Sequence, residues 1–391
     1  MTRALVAGVG MVPFAKPGRS DAYDVMGATA IADALADAGL DYAAIGQVYA
    51  GYVYADSCAG QKTAYRAGMT GVPVFNVNNN CVTGSSALFL ARQAIEHGVA
   101  DCVLAVGFEE MRPGALGTVF ADRTSPFADF DAACDALVDV DLPLALRYFG
   151  GAGREHMQRY GTTLADFAAV RAKASRHASR NPLALFRQEM SVGDVLAAPM
   201  LWPGVMTRPM ACPPTCGAAA AVLVSDAFAR RHGIDRRVAI LAQAMTTDTP
   251  DTFASASMMH LVGSGMTARA AAAVYEAAGI GPDALDAVEL HDCFAHNEVI
   301  SYEGLGLCGE GEAARFIADG ANTYGGWVVT NPSGGLLSKG HPLGATGLAQ
   351  CYELTHQLRG TAGARQVEGA RIVLQHNLGL GGACVVTLYG H

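Results

Sequence analysis

The chain lacks any apolar run approaching the roughly 18 residues that a membrane-spanning helix needs, so no stable membrane insertion is expected. It lacks an export signal: Arg3-Ala4-Leu5-Val6-Ala7-Gly8-Val9-Gly10 is too short and glycine-broken, and reads as a first buried strand. It lacks a basic excess, and a formal net charge of −9 argues against a general nucleic-acid binder. Its ten cysteines lack disulfide-scaffold spacing, so the expected compartment is reducing and cytoplasmic. Gly8-Val9-Gly10 lacks the third glycine and acidic partner of a dinucleotide site. Cys212-Pro213-Pro214-Thr215-Cys216 offers two soft ligands without a third or fourth nearby, so no metal is expected.

What is present is an apolar, glycine-rich chain long enough for two or three domains. Of 391 residues, 51% are hydrophobic and only 16% charged, with 46 glycines, the signature of an α/β enzyme with many tight turns. The same half-fold is written twice. Ala38-Gly39-Leu40 followed by Ala43 to Val48 matches Ala278-Gly279-Ile280 followed by Asp283 to Val288 without a gap. Thr83-Gly84 opens a helix to about His97 before a strand at Cys102 to Val106. Thr346-Gly347 likewise opens a helix to about Leu358 before a strand at Ile372 to Leu374. One such echo arises by chance in an alanine-rich chain; two together imply a duplicated α/β unit. If the halves pack about a pseudo-twofold axis, the two Thr-Gly helices lie side by side and the loops preceding them meet.

Three stretches carry chemistry. In Asn78-Asn79-Asn80-Cys81, the cysteine ends an extended run (Val74, Phe75, Val77) and precedes an amphipathic helix, where the dipole and free N–H groups favour a thiolate. His341 lies between Asn331-Pro332-Ser333-Gly334-Gly335 and Gly344-Ala345-Thr346-Gly347, in irregular backbone stiffened by Pro342. Its imidazole suits a base for a thiol, giving a thiolate–imidazolium pair; the plain alternative is a histidine that braces the turn. His291 and Cys293 follow the strand Ala287 to Leu290, at the carboxyl end where α/β sheets collect functional groups. Two residues apart on extended chain, they share a face. Taken alone, Cys293 fits core packing more readily than proton transfer.

These runs, with Tyr302 to Cys308, Asn322 to Gly326 and Gln375 to Ala383, resemble the thiolase superfamily over essentially the whole chain. The closest branch is the sterol-carrier-protein-x (lipid-transfer-protein) thiolases, whose His-Asp-Cys-Phe element stands at 291 to 294. Asp122-Arg123-Thr124, Glu155-His156-Met157 and Tyr160-Gly161 match it too. The resemblance implies a duplicated thiolase fold: two similar βαβαβαββ halves in α-β-α-β-α layers with an inserted loop domain. The expected boundaries are 1–112 and 205–236 for the N-terminal half, 113–204 for the insertion and 237–391 for the C-terminal half. The chain stops just after its last strand, so no C-terminal sterol-carrier domain is expected.

The resemblance also implies roles. Cys81 matches the acylated nucleophile, and His341 its activator. His341 and His291, usually with a water, would line one oxyanion hole; the N–H groups of Cys81 and Gly379 would form the other. Cys293 matches the second, acid/base cysteine. Ordinary thiolases carry that cysteine in a C-terminal Cys-x-Gly element, where this chain reads Asn377-Leu378-Gly379. The expected activity is 3-oxoacyl-CoA thiolysis, degrading medium, branched or sterol-derived chains. No cofactor is permanently bound, coenzyme A is the co-substrate, acyl-CoA the substrate, and the state a homodimer or tetramer.

Between Gly151 and Met190, seven Arg/Lys stand against three acids, a reversal of sign within an acidic chain. That suits the phosphates of coenzyme A, for which Arg154, Arg176, Ser333 and Gly334 are the candidates; a solvated helix face is the alternative. Cys58, Cys102, Cys134, Cys308, Cys351 and Cys384 read as buried fillers, and His296 as a residue behind the pocket. Three other functions share the scaffold: a decarboxylating condensing enzyme, a retro-aldol lyase and a lipid carrier. The lyase needs no acylated cysteine, so an intact Cys81 speaks against it.

Overall fold

A computed structural model describes residues 2–112, 119–235 and 237–391. The first half contributes β1 (Ala4–Met11), α1 (Tyr23–Ala38), β2 (Gln47–Gly51), α2 (Ala59–Ala67), β3 (Val74–Val77), α3 (Thr83–Glu96) and β4 (Cys102–Glu109). An excursion follows, with α4 (Ala128–Leu137), α5 (Leu144–Tyr160), α6 (Leu164–Ala178), α7 (Val192–Ala197) and the hairpin β5 (Met200–Trp202) and β6 (Met206–Thr207). The half closes with β7 (Gly217–Ser225) and α8 (Asp226–His232). The second half runs β8 (Ala239–Thr246), α9 (Asp251–Ala254), α10 (Met258–Leu261), α11 (Ser264–Ala278) and β9 (Ala287–Glu289). It continues with α12 (Ala295–Gly304), α13 (Ala313–Ala318), β10 (Val329–Thr330), α14 (Gly335–Ser338), α15 (Thr346–Arg359), β11 (Ile372–Gly379) and β12 (Ala383–Gly390).

The duplication read from the sequence is present strand by strand. The first half orders its strands β3-β2-β4-β7-β1 and the second β10-β9-β11-β12-β8. In both, the two outermost pairings are parallel and the other two antiparallel. The halves join edge to edge at a single pairing, Leu5 with Ala239, making one ten-stranded sheet that folds over the helices between its halves.

Strand alternation sorts the core into layers. Val103, Ala105, Ala219, Ala221 and Leu223 of the first half point inward, as do Ile240, Ala287, Val373 and Tyr389 of the second. Between them lie Leu88, Ala91 and Ile95 of α3 and Leu348, Leu354 and Leu358 of α15. The opposite faces are covered by α1 on the first half, through Met26, Ile31 and Leu35, and by α11 and α12 on the second. The order is therefore helix, sheet, helix pair, sheet, helix.

The excursion does not end where expected. The β5–β6 hairpin straddles the 204/205 boundary, because Met200 pairs with Thr207 and Trp202 with Met206. The expected start at 113 and end of the half at 236 lie outside the described residues. Helices α5 and α6 leave the first half and pack on α10, α12, α13 and α14 of the second.

Where α3 and α15 begin, backbone meets backbone. A Cβ on Gly84 would lie 2.7 Å from the Gly344 carbonyl oxygen, and one on Gly347 would collide with the Ser85 amide nitrogen and hydroxyl. Alanine gains about 1 kcal/mol of helix propensity over glycine. Overpacking against backbone costs about 1–3 kcal/mol or more, and here it dominates. Gly347→Ala should therefore lower the midpoint of cooperative denaturant unfolding despite its better propensity; an unchanged or raised midpoint would show that the two helices are not in backbone contact.

Candidate active site

Between β3 and α3 the asparagines build a perch. Asn80 takes a left-handed φ of 52°, a conformation asparagine tolerates better than most residues. The Asn79 amide donates to Thr83 Oγ1 (2.8 Å), and Asn80 Nδ2 to the Leu380 carbonyl (3.0 Å), tying the turn to both halves. Cys81 follows, half-buried, just before Val82 at the helix entry.

The His341 loop is held as tightly. Gly340 has φ 117°, and a Cβ there would lie 2.7 Å from Thr215 Cγ2. The His341 amide donates to Thr215 Oγ1 (3.1 Å). On the ring, Nδ1 meets Thr346 Oγ1 at 2.7 Å, and that hydroxyl donates its proton to the Pro342 carbonyl (2.9 Å). Thr346 must then accept from His341, which fixes the imidazole proton on Nδ1 and leaves Nε2 as a bare lone pair. Nε2 is buried without a partner.

His291 has the opposite tautomer. The Asn377 side chain donates through Nδ2 to His291 Nδ1 (2.9 Å) and to the Cys81 carbonyl (3.2 Å), while its Oδ1 accepts from Ser85 Oγ (2.8 Å). With Nδ1 accepting, the His291 proton sits on Nε2. The two rings meet edge to face, centroids 5.0 Å apart at 86°. The Cys81 sulfur and one nitrogen of each histidine lie within 4.8 Å of one another. The site thus combines a thiol, a free base and an N–H donor, the elements of nucleophilic attack on a carbonyl.

Burial works against the expected thiolate–imidazolium pair. Burial, with the Glu109 carboxylate second, pushes the Cys81 thiol up to about 12. Burial pulls His341 down to about 3, with Lys339 adding to the effect, and holds His291 well below the ordinary histidine value. Both shifts favour a neutral thiol beside a neutral imidazole over a thiolate–imidazolium pair, because burial strips hydration from either charge. Burial likewise raises Cys293 well above a free thiol, followed by the Cys212 and Cys81 thiols. β9 stops at Glu289, so His291 and Cys293 reach the site from irregular chain, not strand.

Cys212 belongs to this neighbourhood: its amide donates to the Cys293 carbonyl (2.9 Å), and Ala211 bridges Phe294. Cys216 is turned away, its sulfur donating to the Met111 carbonyl (3.4 Å). The set Cys81, His291 and His341 has the donor types of a soft-metal site. A ligating histidine normally gives its second N–H to an acceptor. His341 does so; His291 receives a hydrogen bond there instead, so the donor set does not fit a metal.

Of the other expected residues, only Gly379 adjoins the Cys81 turn. Gly379 packs on the Cys81 loop, a Cβ there falling 2.6 Å from the Asn79 carbonyl oxygen. Arg154 donates to the Leu137 carbonyl (3.2 Å) and stacks on Trp202. Arg176 is exposed on α6. Ser333 and Gly334 are buried, and Ser333 gives its amide and hydroxyl to Glu289 (2.9 and 2.7 Å). Arg171 and Lys173 are buried too, whereas Arg159, Arg176, Arg180 and Arg187 are exposed, so part of the local positive charge lies inside the protein. Cys58 is exposed rather than a filler. His296 Nε2 donates to the Val205 carbonyl (2.8 Å) against Phe167, within the core.

Sequence reasoning missed Asn377 as the residue that orients His291, and Glu109. The signal for the first was Gln375-His376-Asn377, three polar residues in an otherwise apolar strand; for the second, the first of two acids that end the apolar run Cys102 to Phe108.

Residues 5–193 match the family described as thiolase, N-terminal domain, and residues 249–388 the family described as thiolase C-terminal domain-like. The chain is 50% identical over 397 residues to sterol carrier protein 2 of Oryctolagus cuniculus, covering 100% of this chain and 72% of that protein. It is 40% identical to non-specific lipid-transfer protein-like 2 of Caenorhabditis elegans, covering 99% and 96%. It is 35% identical to acetyl-CoA acetyltransferase of Methanothermobacter thermautotrophicus, covering 91% of each. Among solved structures, the Ltp2-ChsH2(DUF35) aldolase superposes with a TM-score of 0.84 at 23% identity, covering 100% of this chain and 98% of that one. Human mitochondrial 3-ketoacyl-CoA thiolase gives 0.75 at 18%, with the same coverage. Both share the fold.

A neutral resting thiol makes a testable demand. Iodoacetamide modification of Cys81, read by peptide mass spectrometry, should accelerate with pH through 9 and beyond without levelling, since only the thiolate reacts. A plateau below pH 8 would mean a preformed thiolate–imidazolium pair.

Proposed function

The chain belongs to the thiolase family, and from that premise we propose that it is a 3-oxoacyl-CoA thiolase working through an acyl-enzyme at Cys81. The observation that carries this reading is the clustering of the His341 ring, its Nε2 buried and unpartnered, with the Cys81 sulfur and His291. His341 takes the thiol proton as the sulfur attacks the 3-carbonyl of the substrate. The carbon–carbon bond breaks, the enolate of acetyl-CoA takes a proton from Cys293, and the shortened acyl group remains on Cys81. The Cys293 thiolate then takes the thiol proton of coenzyme A, whose sulfur attacks the acyl-enzyme; acyl-CoA leaves, and His341 returns its proton to the Cys81 sulfur.

Oxyanion stabilisation falls to His291, whose Nε2–H is fixed by Asn377, together with His341 once it is protonated. The amides of Cys81 and Gly379 serve the acyl-enzyme. The substrates are acyl-CoA thioesters from fatty-acid, branched or sterol side-chain breakdown, with coenzyme A as co-substrate. A homodimer has a seat at β3, which pairs with β2 alone among the described residues and leaves Phe75 45% exposed. Among those residues no helix is long and apolar enough to cross a membrane.

The names of the two lipid-related relatives favour a second reading, lipid carriage on the same scaffold. Incubation with a 3-oxoacyl-CoA followed by peptide mass spectrometry separates them. We expect an acyl adduct on Cys81, ping-pong kinetics and loss of turnover in Cys81→Ala. His291→Ala should cost about 10²–10³ in kcat, the usual effect of removing one oxyanion donor. Lipid binding without an adduct, and turnover unchanged in Cys81→Ala, would overturn the thiolase reading.

A further inference from the structure

β4 ends in Glu109, a carboxylate only 1% exposed. No basic side chain pairs with it among the described residues; its oxygens accept three backbone N–H groups instead. Oε1 accepts from Tyr54 (2.9 Å), and Oε2 from Val53 (3.2 Å) and Gly344 (3.0 Å). Val53 and Tyr54 follow β2 in the first half. Gly344 belongs to the second half, three residues beyond His341. A Cβ on Gly344 would lie 2.7 Å from the Gly51 carbonyl oxygen, so the fastening sits where the two halves' backbones touch.

On the other side of His341, Asp292 accepts from the Leu336 amide (2.7 Å). The His341 loop is therefore strung between two buried carboxylates, one from each half. Of these, only Glu109 also lies in the field of the Cys81 sulfur. Three N–H donors converging on one side chain require two acceptor oxygens. Glutamine would turn an NH2 group against a backbone N–H, and aspartate would fall short by one methylene.

We propose that Glu109 is a positioning residue for acyl transfer, setting the reach between the Cys81 sulfur and the His341 imidazole by fastening Gly344 to the ends of β2 and β4. The inference rests on the acyl-transfer reading of the site, but the fastening is measurable without substrate. The test is amide hydrogen exchange and steady-state thiolysis of the full chain, wild type against Glu109→Gln and Glu109→Asp. In the wild type the Gly344 amide should exchange slowly. In both variants the segment around Gly344 should exchange roughly tenfold faster, while the middles of α3 and α15 stay protected. Thiolysis should lose roughly tenfold to a hundredfold in kcat with KM nearly unchanged, the mark of a misplaced reacting group rather than lost binding. A fast Gly344 amide in the wild type overturns the proposal even if neither variant folds. So does a variant whose kcat stays within about twofold of wild type, or one in which KM rises as much as kcat falls. Absence of thiolysis from the wild type refutes the activity reading alone, since exchange decides the fastening independently.

Discussion

The whole arrangement depends on two helix N-termini touching through their backbones. Gly84 and Gly347 begin α3 and α15, and neither has room for a side chain: the first abuts the Gly344 carbonyl, the second the Ser85 amide. Because each helix is preceded by a loop from its own half, this contact brings together two loops far apart in the sequence. Ser85 shows how directly packing becomes chemistry. It touches Gly347 and donates to Asn377 Oδ1, and that bond orients the amide that sets the His291 tautomer.

Around this contact the protein spends buried charge on holding loops. Glu289 takes the Ser333 amide and hydroxyl and pairs with Lys339, and Asp292 takes the amides that open α14. Lys173 pairs with Glu298 beside Tyr302 and Thr330, fully buried. Buried pairs contribute little net stability, since desolvation offsets most of the attraction, but removing one partner costs about 3–5 kcal/mol. Their effect is to make alternative loop arrangements expensive. The seven Arg/Lys of the excursion illustrate the confusion this creates: Arg171 donates to Ser338 Oγ (2.7 Å) and Lys173 to Thr330, so neither faces solvent.

The sequence made the symmetry legible because it repeats short, strongly constrained elements. Thr-Gly at 83–84 and 346–347 marks a backbone contact that admits no other residue at the second position, so the motif survives in both halves. Cys81 and His341 were legible for the same reason, each standing in a glycine- or asparagine-rich turn that an apolar core does not explain. Asn377 and Glu109 were not, because their roles lie in what they touch across the halves. A charge count could not separate Arg171, buried against α14, from Arg176, exposed about one and a half turns along the same helix. Likewise, helix-entry position suggested a thiolate at Cys81, but only the packed surroundings show how much hydration the sulfur has lost.

The tautomers give the site an order of events under the proposed roles. His291 carries its proton on Nε2 from the outset, so one N–H donor is present before any substrate atom moves. His341 presents a bare nitrogen and becomes a donor only by taking the proton of Cys81. The second donor therefore appears in the same step that makes the sulfur nucleophilic, when negative charge begins to build on the carbonyl oxygen. A preformed thiolate would need a buried charge at rest, at a cost of several kcal/mol, and would spend the hydrogen bond before it was useful. Neutral reactants that ionise together meet the requirement that stabilisation be greater in the transition state than in the ground state. Asn377 and Thr346 matter because they keep the two imidazoles in opposite tautomers within one cluster.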